Sequence, residues 1–160
     1  MKKIYAAIIS AFIILLSIVI LRAALRPEEA RIRRNLSRIE SLLSKAEDEA
    51  TAAGFIRANR TAEYFTQDCR IRVNGYNISG MAEVAAAMHS ARGRASSLSL
   101  RFTDVNISIK DENTAEAFLT AAASSNGLQR EAVAREVQLI FIRLDGEWKI
   151  YSAETVEILR

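Results

Sequence analysis

The chain has 160 residues, half of them hydrophobic, with 22 basic and 19 acidic side chains and a single cysteine. That length holds one domain with an appendage, and one thiol excludes both an intrachain disulfide and a cysteine-based zinc site. From Phe55 to Arg160 the charges balance at 13 basic and 13 acidic; a nucleic-acid surface needs a concentrated basic face, so this neutral remainder argues against one.

The surplus of positive charge lies in the first 54 residues, around an apolar run. Ile4–Leu21 is 18 residues long without a charge, enough to span about 27 Å as a helix. A cleavable signal peptide would have a shorter apolar core and small residues at its cleavage site. Here Arg22 stands where a small residue would be needed, so residues 1–26 read as a single membrane anchor, transmembrane over about 4–21. Two cues on orientation oppose each other. Lys2-Lys3 before a first apolar segment marks export, whereas Arg22, Arg26, Arg31, Arg33 and Arg34 form a membrane-proximal basic cluster on the other flank. Export is the expectation, with an extracytoplasmic domain on a single-pass protein; a cytoplasmic domain would instead lay the arginines on an anionic leaflet, at about 1 kcal/mol each.

Pro27 can open a helix with Glu28 and Glu29 in its first turn. The pattern then continues without a breaker to Gly54, a candidate C-cap, so 27–54 is expected to be one amphipathic helix and connector. Its stripe of Ile32, Leu36, Ile39, Leu43, Ala46, Ala50 and Ala53 suits packing on its own domain better than a self-pairing stalk. A short helix at about Phe55–Phe65 begins the remainder of the domain, 55–160. A strand in "TQDCRIRVNG", a turn at Asn74-Gly75, a segment "YNISG" and a helix "MAEVAAAMHSAR" ended by Gly93 follow.

Beyond this the apolar period becomes two. Ser97–Lys110, Thr114–Ser124, Arg130–Leu144 and Glu147–Ile158 read as four strands joined by short turns, hence an antiparallel meander. Between Leu98, Leu100, Phe102 and Val105, Ile107, Ile109 the apolar parity switches, which predicts a β-bulge near Thr103-Asp104. The fold class is α+β: helices against a curved antiparallel sheet, preceded by a transmembrane helix.

This succession, with "YFTQDCRIRV", "ISGMAEVAAAM", "FTDVNISI" and the closing "LDGEWKIYSAETVEI", resembles the nuclear-transport-factor-2-like superfamily, including its SnoaL-like branch. The match covers roughly Ser37–Ile158. The resemblance implies a cone-shaped domain, often dimeric, with a pocket in the cone. It does not imply one function, since the fold carries isomerases, dehydratases, cyclases and noncatalytic scaffolds.

In enzymatic relatives a pocket carboxylate or imidazole acts as base beside a polarising tyrosine. The catalytic candidates here are Asp68, His89 and Glu154; the pocket-lining candidates are Tyr64, Trp148, Ser152 and Glu154. Each has a structural alternative. Asp68 can order a turn, His89 can sit half-exposed beside an apolar stripe, and Tyr64 can close a helix with its hydroxyl at the rim. Strict alternation puts Trp148, Ile150, Ser152 and Glu154 on the inner face, where Glu154 would need Arg135 or Arg143 as partner. Metal ligands at suitable spacing, a nucleophile motif and a phosphate loop are lacking, so no metal and no cofactor is expected. Ala115, Ala117, Ala121, Ala122 and Ala123 on one strand suit a ligand cavity, a dimer contact or a protein partner. The expected function is a membrane-anchored, noncatalytic domain that binds a protein partner, itself or a small apolar ligand. The alternative is an isomerase, dehydratase or cyclase.

Overall fold

The computed structural model describes residues 27–73, 75–126 and 131–156. The expected anchor, with Arg22 and Arg26, lies outside them, and among the described residues no helix is long and apolar enough to cross a membrane. The described elements are α1 (residues 27–43), α2 (Thr51–Ala62), β1 (Phe65–Val73), β2 (Tyr76–Ser79), α3 (Met81–Arg94), β3 (Ser97–Ile109), β4 (Thr114–Asn126), β5 (Glu131–Leu144) and β6 (Glu147–Thr155). One sheet has the order β2-β1-β6-β5-β4-β3. The expected meander supplies four of the six strands, and β1 joins it in parallel to β6.

Helix α1 lies on the inner face of the sheet. Ile32, Leu36 and Ile39 are buried in one cluster with Ala115, Ala117, Leu119, Leu139, Phe141 and Trp148. The stripe from Ile32 to Leu43 therefore packs on its own domain, whereas Ala46 and Ala50 are exposed. By pairing, Ala121 and Ala123 face the same side as Ala115 and Ala117, and only Ala122 of the alanine-rich set points outward. Ala115 and Ala117 are buried in the core with α1 and Ala121 packs against it, so these three side chains are not free for a docking partner.

The expected helix through Gly54 breaks after Leu43. Arg92, 2% exposed on α3, donates from Nη1 to the carbonyls of Leu42, Leu43 and Ser44 at 2.8, 2.7 and 3.2 Å, and from Nη2 to the Glu49 carboxylate. A guanidinium at the carbonyl end of α1 satisfies its orphan acceptors and suits its dipole. Lys45 Nζ returns the arrangement, bonding the carbonyls of Arg92 and Ala95 at 2.9 and 2.7 Å. Two helix ends are thus capped by each other's cations. Gly54 falls inside α2, which begins at Thr51 and ends at Ala62, not Phe65; α3 likewise runs through Gly93.

The same segment closes the edge of β3. Lys45 exchanges both backbone bonds with Leu98, at 2.7 and 3.0 Å. The amide of Leu100 donates to Ser44 Oγ and that of Phe102 to the Glu40 carboxylate, and Arg33 donates to the Val105 carbonyl at 2.9 Å. An edge satisfied this way offers little to an added strand. The opposite edge, β2, is only four residues long.

The predicted bulge is present. Register shifts between Thr103 and Asn106, and Asp104 takes φ 52° while its carboxylate accepts from the Thr103 and Thr120 hydroxyls. A second bulge went unforeseen: β5–β6 pairing shifts at Ile140/Phe141, so that Phe141 faces Ile150 and Ile140 faces Ser152. Tyr151 is the extra residue, and every side chain after it changes face. Cys69 is fully buried and burial pushes its thiol up, consistent with an apolar packing role. On the outer face Lys110, 2.7 Å from Glu116, and Gln138 hold that carboxyl below its usual range.

Candidate functional site

The β5–β6 turn builds one wall of a cleft at the rim of the domain. Asp145 and Gly146 have φ 51° and 82°, the left-handed pair that a two-residue hairpin with this twist requires. The turn delivers Trp148 to the core, 3% exposed, with its indole edge at the rim. Its Nε1–H donates to Glu28 at 2.6 Å, and Arg143 lies 5.9 Å from the ring centroid. Glu28 also pairs with Arg31 at 3.1 Å and Arg143 at 3.7 Å, while Asn35 donates to the Trp148 carbonyl at 3.1 Å. The first turns of α1 are therefore clamped to the hairpin.

On one side of Trp148 opens a cleft of about 510 Å³, lined by Arg31, Asn35 and Arg38 of α1, Glu63 and Tyr64 after α2, and Gly146–Lys149 of the turn. Positions 31, 35 and 38 fall at i, i+4 and i+7 and share one helix face. The Tyr64 carbonyl accepts from the Ile150 amide at 2.8 Å and Lys149 Nζ reaches the Glu63 carbonyl at 3.0 Å, so the far wall is tied to β6. On the other side of Trp148 a cleft of about 810 Å³ is acidic, with Glu28, Asp111, Glu112 and Asp145 against Lys110 and Arg143. Among the described residues no group of three or more His, Cys, Asp or Glu side chains is placed to hold a metal ion.

Tyr64 and Trp148 both line the first cleft. The other candidates do not join them. Because of the Tyr151 bulge, Ser152 and Glu154 share the register of outward-facing Ile140 and Gln138 rather than pointing into the cone. Glu154 does pair with an arginine, but with Arg72 at 3.1 Å rather than Arg135 or Arg143, and the two side chains are 44% and 67% exposed. Such an exposed pair contributes about 0–1 kcal/mol. Asp68 is exposed on β1, and His89 is exposed on α3 with the Phe55 ring edge-on at 5.5 Å. Arg31 and Arg33 are spent partly on Glu28 and Val105, and Arg34 is exposed.

Inside the cone, Phe65, Leu119, Leu139, Phe141, Trp148 and Ile150 are all buried in the core cluster. Helices on one face of a bent six-stranded sheet with this order are matched among solved structures by a protein of unknown function from Mycobacterium tuberculosis. It is 16% identical, with a TM-score of 0.69, over 86% of this chain and 76% of that one. A nuclear-transport-factor-2-like protein with a cystatin-like fold from Novosphingobium aromaticivorans matches at 19% identity and TM-score 0.64, over 84% and 86% of the two chains. The chain has the nuclear-transport-factor-2-like fold. A proposed scytalone dehydratase from the same organism shares that fold at 16% identity and TM-score 0.64, over 81% of this chain and 85% of that one. No protein-family model and no curated protein matches the sequence. At such identities the nuclear-transport-factor-2-like likeness carries the architecture alone.

Proposed function

We propose that the chain is a membrane-tethered, noncatalytic domain that binds a second copy of itself through the outer face of its sheet. The observation that carries this reading is the distribution of large apolar side chains. Phe141 and Trp148 are buried at 1% and 3% exposure inside the cone, whereas Phe118 and Leu144 stand 45% and 43% exposed outside it. By register Phe118, Ile140, Ile142 and Leu144 share the outer face. Charges of both signs surround them, including Lys110–Glu116 and Lys149–Glu147, a composition that can meet its own copy across a twofold axis. Both sheet edges are short or covered, so a face is the surface left for a partner. In light scattering the full chain in detergent should have the mass of two chains, and Leu144→Lys, at an exposed position, should give one chain with an unchanged circular-dichroism spectrum and a melting temperature that no longer depends on protein concentration. A wild-type chain that is monomeric at every concentration overturns the dimer.

The tether rests on the uncharged run Ile4–Leu21, and the export reading of the domain rests on Lys2-Lys3 ahead of that run. Alkaline phosphatase fused after Arg160 should be active; an inactive fusion made in normal amount would reverse the orientation.

A further inference from the structure

We infer that the rim cleft beside Trp148 binds a phosphate monoester or diester of the kind carried by a glycerophospholipid headgroup, with Arg31 and Arg38 as its cationic ligands and Tyr64 as a hydroxyl donor. The phosphate site stands on the cleft itself. The lipid as its source rests on the tether proposed above.

The cleft holds three cationic side chains, Arg31, Arg38 and Lys149, against two carboxylates, Glu63 and Glu147. Glu147 is paired with Lys149 at 3.4 Å and its side chain is 74% exposed, which keeps it at the mouth. Arg31 spends one nitrogen on Glu28; a guanidinium has five N–H donors in a planar fork that matches a phosphate. Among the described residues Arg38 has no ion-pair partner and the Tyr64 hydroxyl no acceptor, although both line the space. Donors thus outnumber acceptors. A volume of about 510 Å³ falls within the range of small-molecule sites and exceeds what a bare phosphate fills. The acidic cleft across Trp148 would repel the same ligand.

The position suits a ligand drawn from a bilayer. Arg31 lies ten positions after Leu21, the last of the apolar run. Fully extended, that stretch places the cleft within about 36 Å of the end of the run, and within about 15 Å if helical. Tyr64, half-buried in the wall, is a side chain that favours the boundary between headgroups and water.

Trp148 is the sole tryptophan and lines this cleft as well as the acidic one across its ring, so its emission reports on binding at this rim, and the Arg38 variant assigns the signal to the first cleft. The experiment uses the full chain in phosphatidylcholine nanodiscs, titrated with glycerol phosphate, beside discs that contain phosphatidylglycerol. The Trp148 emission should change saturably with glycerol phosphate and should already be changed in the phosphatidylglycerol discs. Arg38→Gln should weaken the titration about tenfold. Arg34→Gln, which removes the same charge from an exposed position of α1 outside the cleft, should leave it within about twofold. Equal weakening by both variants would show a diffuse field and overturn the site. A chain that enters the discs yet responds to neither ligand overturns it as well, with the tether intact. If the chain does not enter discs but the detergent-held protein still binds glycerol phosphate, the lipid source falls along with the tether.

Discussion

Replacing Arg92 by methionine is expected to destabilise the domain by about 3–5 kcal/mol, the cost of removing one partner from a buried pair. The guanidinium is 3% exposed and the Glu49 side chain it meets is 9% exposed. Without it, Glu49 keeps only the longer contact to Arg57, at 3.7 Å, and the carbonyls of Leu42, Leu43 and Ser44 lose their common donor. Each orphaned acceptor adds to the loss. Arg92→Lys should recover little, because a single ammonium cannot span three carbonyls and a carboxylate from one planar group. Glu49→Gln in the Arg92→Met background should recover part of the loss by removing the stranded charge. Urea unfolding followed by circular dichroism measures all of these, and an Arg92→Met loss below about 1 kcal/mol would show that the hub does not hold α1 to α3.

That hub also shows what the sequence could not disclose. Leu43-Ser44-Lys45 carries no helix breaker, and the residue that ends α1 lies on α3, nearly fifty positions away. Local pattern predicts a continuing helix; a tertiary contact ends it. The two bulges make the same contrast within one sheet. At Thr103-Asp104 the flanking side chains are large and apolar, so the change of parity was written in Leu100, Phe102, Val105 and Ile107. At Tyr151 the residues that follow are Ser152, Ala153, Glu154 and Thr155, which can face either way, and the switch left no mark. That silence reversed the reading of Glu154. The meander, the curved sheet and the inward Trp148 were legible because strong apolar alternation and the Asp145-Gly146 turn specify them. Tyr64 and Trp148 could be named for the rim, but Lys149, Asn35 and Arg38 could not. The last two share a helix face with Arg31, a spacing visible in the sequence, yet only the fold shows that this face meets the hairpin rather than solvent.

Phe141→Ala should cost about 3–5 kcal/mol and, unlike most core truncations, should report on function. Phe141 is 1% exposed and sits between Ala115 on β4 and Ile150 on β6. Its small neighbour across the strand leaves the ring to fill that part of the cone, so truncation opens an apolar space. A cavity of that kind stays dry and accepts an apolar molecule of matching size. Saturating benzene should therefore raise the melting temperature of Phe141→Ala and leave that of the native chain unchanged, since a ligand stabilises only a state that has room for it. The opposite pattern, with a native chain stabilised by benzene and a variant that loses less than about 1 kcal/mol, would mean that the cone is already open. An open cone would return the small-molecule reading to first place, and with it the question of which side chain could act as a base there. The benzene response thus separates the two readings: Asp68 and His89 are exposed and Glu154 pairs with Arg72 at the surface, so a base for chemistry inside the cone would have to come from other side chains.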